Sequence, residues 1–430
     1  MTPAFDVAIV GAGMAGLTAA RALAEQGQRV IVYEARDRVG GRICTLQPGA
    51  NAVELGAEFI HGRPPELLHL AEEAGVQPIE RTGNSFWLRN GRLTECEDPF
   101  DGDFQWMEAL KHWSRPDCSF ADYIRNTTAA EATQARLADF VEGFNAADQT
   151  VISAASLGKQ QAAEDAIEGD RSYHVAGGYS QLPEFLAAAV VRAGGQIATG
   201  TQVRAIAWQP GGAELTLEHE SARHRIRASK VLVAVPLGPL LAGTIEFQPR
   251  PEAILTAARQ MRMGSVLRVV LDFHEPFWAT AAPDLAHAIE HADFLFATGQ
   301  FPPVWWTTPG NPNRLTAWIG GPRALEFPSA PAARDAALLQ SLCPLLRTSP
   351  EALSRLLRQS FTHNWQRDPL ALGAYSYVAA GGIRASATMA EPVHHILFFA
   401  GEHTDVTGHW GTVHGAMRSG LRAAAQIASA

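Results

Sequence analysis

At 430 residues with 47% hydrophobic content, the chain exceeds a single small module and carries enough apolar material for a core that needs neither disulfide nor metal. A net charge of −9, from 35 Lys and Arg against 44 Asp and Glu, disfavours nucleic acid and anionic membrane surfaces as partners and suits cationic small molecules. Cys44, Cys96, Cys118 and Cys343 stand far apart with no C-x-x-C pair, so the common zinc and dithiol patterns are absent and the thiols read as reduced.

The N-terminus reaches Val7 without the basic stretch and cleavage site of a signal peptide, so a cytoplasmic location is expected. Val7 to Val10 reads as a buried strand, Met14 to Gln26 as a helix stopped by Gly27, and Arg29 to Tyr33 as a second strand. This is a β-α-β unit with parallel strands. Helical patterns such as Ala129 to Phe144 fill the stretch from about 79 to 170. Thr201 to Trp208, Ala213 to His219 and Ala222 to Arg227 alternate as an antiparallel meander with a turn at Gln209 to Gly212, and Lys230 to Val235 follows as a separate strand. The apolar run from Val231 to Gly243 is broken by Pro236 and Pro239, and no stretch of about 20 apolar residues could span a bilayer. Further on come a strand at Val266 to Phe273, the aromatic Phe301 to Trp306, helices near Ala332 to Leu342 and Glu351 to Leu357, a strand at Ile396 to Ala400 and a helix from about Thr412 to the C-terminus. The fold class is α/β: a Rossmann-like domain from 1–78, 171–262 and 382–430, interleaved with an α+β domain from 79–170 and 263–381. A pocket belongs at their shared interface.

Gly11-Ala-Gly13-Met14-Ala15-Gly16 sits between the first strand and its helix, where the glycines allow a tight turn, close approach to a pyrophosphate and helix-strand packing. Glu34 ends the second strand 18 residues after Gly16, where an acid accepts hydrogen bonds from a ribose. FAD and NAD both satisfy this unit. The run Glu34-Ala35-Arg36 to Gly40-Gly41-Arg42 adds backbone glycines and an arginine suited to a second face of the pyrophosphate, which implies a resident cofactor.

Together with Val39 to Ile43, Glu54 to Gly62, Gly264 to Arg268, Gly373 to Tyr377, Gly401 to Thr404 and Thr412 to Ala416, these pieces resemble the flavin-containing amine oxidoreductases. That family comprises monoamine oxidases, polyamine oxidases and flavin-dependent histone lysine demethylases, and the resemblance runs nearly end to end, nearest the polyamine oxidase branch. It implies FAD, a two-domain substrate-binding fold and oxidation of a primary or secondary amine, a polyamine or a monoamine. Hydride would pass to flavin N5, an imine would form, and O2 would reoxidise the flavin to give H2O2. Ala374 stands where monoamine oxidases carry the cysteine bound to flavin, so FAD is expected to be noncovalent. The oligomeric state stays open, and the acidic charge argues against a chromatin role.

Gly56-Ala57-Glu58 offers little side-chain bulk to hold a planar ring away. The helix starting near Thr412 and Val413, after Gly401-Glu402, offers free N–H groups and a positive dipole end to the negative edge of a reduced flavin. The resemblance gives Glu402 a ribityl contact and counts Val203 among the cofactor contacts. It places His61 on the substrate side of the flavin, where a histidine would hydrogen-bond the amine or help keep it neutral. It also makes Tyr375 one wall of an aromatic cage and Trp365 a ring near the flavin. Arg268 stands where the family usually has a lysine implicated in oxygen reduction, and it interrupts a buried-looking strand, so it needs a partner or a wet pocket. That exchange opens a second reading, a dehydrogenase or desaturase-like flavoenzyme with another acceptor. A third is a flavin-bearing interaction protein without turnover. Trp305-Trp306 fits a pocket or a core equally. His394, His395, His403, His409 and His414 lack metal-site spacing and carboxylate partners, so no metal is expected.

Overall fold

All four residues of Val30–Tyr33 are buried, as a parallel strand covered on both faces requires. In this computed structural model, which describes residues 4–46, 52–89, 91–96, 102–280, 283–297 and 301–430, that strand lies between Gln196–Ala198 and Phe5–Val10. The parallel order continues through the end of Ala222–Val233 to Leu397–Phe399. Side chains alternate along a strand, so Phe5–Val10 serves two layers. Val7 and Ile9 enter a core shared with helices Met14–Glu25, Gln181–Arg192 and Val413–Ser429. Ala8 and Val10 enter the opposite core with Leu215, Leu237 and Ile254.

Ala222–Val233 is one strand of 12 residues, which corrects the reading of two. Its exposed first half pairs antiparallel with Gly212–His219 and its buried second half runs parallel to Phe5–Val10, with Ala228 meeting both Ala213 and Phe5. The change from a polar to an apolar environment imitated a boundary.

A second sheet runs in the order Leu357–Phe361, Val266–Phe273, Asn311–Gly320, Val304–Thr308, Ala292–Phe296, Asn84–Arg89, Arg92–Cys96. The last two strands fall in the stretch read as helical; they are an edge hairpin, largely exposed, whose apolar alternation is too weak to register in sequence. One face of this sheet carries Val269, Leu271, Leu295, Trp305 and Leu315 into a core with Leu338 and Leu342 of helix Pro331–Leu346. The other presents Arg268, Phe294, Phe296, Trp306 and Trp318 to a cavity. The two adjacent tryptophans therefore part company, Trp305 to the core and Trp306 to the cavity. Among the described residues no helix is long and apolar enough to cross a membrane.

Candidate active site

The strand-to-helix turn is built from absent side chains. Gly11 has φ +107°, which disfavours any other residue, and a Cβ there would stand 2.8 Å from the Ala234 carbonyl oxygen. A Cβ at Gly16 would stand 2.0 Å from the Gly11 carbonyl oxygen, so only glycine lets the helix seat against the strand. Gly13 caps Met14–Glu25 without a side-chain bond, the first turn carries no acid, and a Cβ on Gly13 would meet nothing within 4 Å because that space is the cavity. Bare N–H groups and the positive helix end thus face an open anion site. Glu34, buried at the strand end, is aimed by N–H groups donated from Ala12 (2.8 Å) and Arg36 (2.9 Å).

From this turn a cavity of about 710 Å³ runs between the two sheets. Every sequence-predicted site residue lines it except Gly16, whose part is the packing just described. Arg42 Nη1 donates to Glu402 Oε1 and to the Ala374 carbonyl, both at 2.8 Å. Glu402 also accepts the backbone N–H groups of Ser376 (3.2 Å) and Gly411 (3.0 Å). Burial alone would push the Glu402 carboxyl up, but Arg42, His403 and Ser376 outweigh it and hold it below the usual range. Trp365 donates from Nε1 to the Leu55 carbonyl at 2.8 Å and shares its wall with Gly56, where a Cβ would come within 3.1 Å of the indole. Arg36 reaches over the same indole at 5.9 Å and pairs with Asp368 at 2.9 Å. Asp368 escaped the sequence reading, since nothing local marks an acid 332 residues away as the partner of Arg36.

The partner that Arg268 needs is Glu58. Its Nη2 meets Glu58 Oε2 at 2.5 Å with both side chains about nine-tenths buried, and its Nη1 donates to the Gly56 carbonyl at 3.2 Å. Trp306 Nε1 donates to the same carboxylate oxygen at 3.1 Å. Beyond this pair the wall is aromatic: Phe59, Phe294 and Trp306 stand 5.4 to 6.2 Å apart, and Trp306 meets Trp318 at 5.6 Å. Of these rings only Phe59 belongs to a motif recognised in the sequence, the segment Glu54 to Gly62.

Tyr375 donates from its hydroxyl to the Phe144 carbonyl at 2.6 Å, and the Phe144 ring lies 5.5 Å edge-on to His61. These three groups form a continuous rim. Burial pushes the His61 pKa down to about 4, so its imidazole is neutral at pH 7. Thr412 caps Val413–Ser429 by accepting the Gly415 N–H at 3.0 Å. The expectation that the C-terminal histidines lack a carboxylate is corrected: the fold brings Glu164 to His409 and His414, with candidate ligand atoms within 4.8 Å of one another. A contact spanning some 250 residues leaves no spacing signal.

Burial dominates the downward shift of His61, His403 and His409, each to about 4. Between pH 6.5 and 4 the unfolded chain therefore binds more protons at these positions, so stability is full above 6.5 and is lost as pH falls through that window. Each histidine contributes about 1.4 kcal/mol per pH unit. Glu54 and Glu164, which burial raises to about 7, work in the opposite direction. Melting temperature is expected to fall from pH 6.5 to 4.5; a flat or rising profile would show that these histidines are not kept neutral.

The family model described as flavin containing amine oxidoreductase matches residues 14–428. The chain is 29% identical over 463 residues to lysine-specific histone demethylase 1 homolog 2 of Oryza sativa subsp. japonica, covering 99% of this chain but only 57% of that protein. It is 28% identical over 453 residues to polyamine oxidase 2 of Arabidopsis thaliana, covering 97% of this chain and 87% of the relative. Among solved structures, wild-type putrescine oxidase bound to putrescine superimposes with a TM-score of 0.82 and 26% identity over 99% of both chains.

Proposed function

The chain belongs to the flavin-containing amine oxidoreductases and takes FAD as cofactor, and from that premise we propose that it oxidises a primary or secondary amine to an imine, with O2 as electron acceptor. The observation that carries this reading is the rim of Tyr375, Phe144 and neutral His61, which adjoins the wall of Gly56 and Trp365 in one cavity. When bound, FAD supplies the two-electron acceptor for the hydride that leaves the carbon beside nitrogen.

The residues present fit that cofactor. The open N-terminus at Gly13 and Met14 would hold the pyrophosphate, Glu34 a ribose, and the Thr412–Val413 helix end the negative edge of the ring system. The flat wall of Gly56 and Trp365 would take the ring itself, and no cysteine lines the cavity among the described residues, in keeping with a noncovalent cofactor. His61 enters neutral and can accept the amine's N–H, which favours the uncharged amine that hydride loss requires.

Anaerobic bleaching of the flavin by members of an amine panel tests the reading, and a flavin that no amine bleaches would favour a binding protein without turnover. His61→Ala is expected to keep FAD bound and to lower turnover by roughly tenfold, the worth of one hydrogen bond. An unchanged turnover number would remove His61 from the chemistry.

One observation favours the second reading, a dehydrogenase with another acceptor: the Arg268 cation is paired with Glu58 and is not free to face oxygen. Stopped-flow mixing of reduced enzyme with O2 separates the two. Reoxidation faster than that of free flavin supports the oxidase, and Arg268→Lys should then change reoxidation more than reduction.

A further inference from the structure

From His61 a run of rings leads away from the rim along the second sheet. Phe59 lies 5.8 Å from the His61 ring, Phe294 6.0 Å from Phe59, Phe296 6.2 Å from Phe294 and Trp87 5.0 Å from Phe296. All of them line the cavity, so an amine bound at the rim has this track as a surface for its tail. Such rings ordinarily present a negative face that attracts an ammonium. Here that attraction is already taken up from within the protein. The Arg81 guanidinium stands 5.3 Å from the Phe59 centroid and 5.5 Å from that of Phe294, the Arg268 guanidinium 5.7 Å from Trp306, and the Arg89 guanidinium 5.9 Å from Trp87.

Arg81 is the most enclosed of the three. Its side chain is fully buried and is not part of the cavity lining, so it meets the two phenylalanine rings from behind. Nη2 pairs with Asp293 Oδ1 at 3.1 Å and donates to the Asp293 carbonyl at 3.1 Å, while Nε has no hydrogen-bond partner among the described residues. Asp293 also accepts the Gly83 N–H at 2.9 Å. Supporting two phenylalanines requires no charge, and a buried ion pair carries a desolvation penalty that an apolar side chain of similar volume avoids. What the guanidinium adds is a fixed cation against the outer faces of the rings. Asp293 neutralises it at a distance, but the guanidinium is the member of the pair that lies over the rings. In a low-dielectric wall it opposes a second cation on the inner faces. Glu58, the carboxylate beside these rings, offers no compensation, since Arg268 and Trp306 already occupy it.

We propose that Arg81 is a positioning residue that sets the substrate class: it holds Phe59 and Phe294 with their outer faces occupied, closes this aromatic arm to a second ammonium and reserves it for an amine whose tail is uncharged. The inference rests on the amine-oxidising reading above. The reacting nitrogen stays at the rim of Tyr375 and His61, and Arg81 acts on the tail alone.

The test compares holoenzymes, wild type and Arg81→Met, in anaerobic flavin reduction by hexylamine and by 1,5-diaminopentane, which match in length and differ in the distal charge. The wild type should show an apparent Kd at least about tenfold lower for hexylamine, and Arg81→Met should shrink that ratio at least about fivefold, the worth of one desolvated cation-ring contact. A wild type that binds the diamine as tightly overturns the proposal. So does a variant that keeps the wild-type ratio, whatever its stability or limiting rate, because a merely structural role predicts that outcome. If Asp293 without its partner keeps Arg81→Met from folding, the variant with Arg81→Met and Asp293→Asn together removes both charges and carries the same comparison. Should no amine reduce the flavin, the oxidase reading fails, and the arm is decided by melting temperature. Stabilisation of the wild type by hexylamine over the diamine, with the gap narrowed in the variant, supports the proposal; equal stabilisation, or a gap unchanged in the variant, overturns it.

Discussion

Gly56→Ala is expected to purify as a colourless protein. A methyl group on this residue would stand 1.8 Å from the Arg42 carbonyl oxygen and 3.1 Å from the Trp365 ring, so the clash falls on backbone as well as side chain. The backbone there cannot easily yield. Ala57 donates its N–H to the same Arg42 carbonyl, and the Arg42 guanidinium is fixed by Glu402 and the Ala374 carbonyl. Relief from the Arg42 carbonyl requires the backbone at Gly56 to shift, and that displaces the Trp365 wall, which hangs from the neighbouring Leu55 carbonyl. Overpacking of this kind costs about 1–3 kcal/mol, which corresponds to roughly fivefold to 150-fold weaker cofactor binding if the cavity absorbs it. The measurement is the ratio of flavin absorbance to protein after purification, followed by titration of the stripped protein with FAD. A wild-type ratio and affinity would mean that the ring system lies elsewhere.

What the sequence exposes about this site is what one segment determines by itself. The glycine turn, Glu34 at a strand end and Thr412 at the start of the last helix are short-range patterns, and each reflects a local need: a positive φ at Gly11, a buried acceptor, a helix start whose N–H groups need an acceptor. Trp305 and Trp306 show the limit. Adjacent residues on a strand face opposite ways, and which side holds the core depends on helices drawn from elsewhere in the chain, here Pro331–Leu346. Arg268 is an intermediate case. Its charge inside an apolar strand announced a need for a partner or a wet pocket, but the acid that meets it is 210 residues away and no spacing rule reaches that far. Glu164 and His414 lie beyond reach for the same reason, and nothing in the run of residues around Glu164 separates it from its exposed neighbour Asp165. The hairpin of Asn84–Arg89 and Arg92–Cys96 was hidden differently, because an edge pair with one face wet has little apolar alternation to show.

Arg268→Met is expected to destabilise the holoenzyme by about 3–5 kcal/mol, the penalty of leaving one member of a buried ion pair without the other. The Glu58 carboxylate would keep only the Trp306 indole as a donor among the contacts seen here. Glu58→Gln should cost less, about 1–3 kcal/mol, because an amide oxygen still accepts from Trp306 and from Arg268 Nη2. The decisive species is the variant with both changes. If the pair mainly compensates two desolvated charges, removing both restores part of what either removal loses, and the double variant lies well above the sum of the single losses. Urea unfolding of the four proteins with FAD bound gives the coupling directly. Strict additivity would mean that the two charges do not depend on each other. The same set of proteins bears on function, because Arg268 also holds the Gly56 carbonyl. A paired guanidinium that fixes the flavin wall predicts that Arg268→Met loosens FAD and slows amine oxidation together, whereas a cation serving oxygen alone predicts slow reoxidation with FAD binding intact.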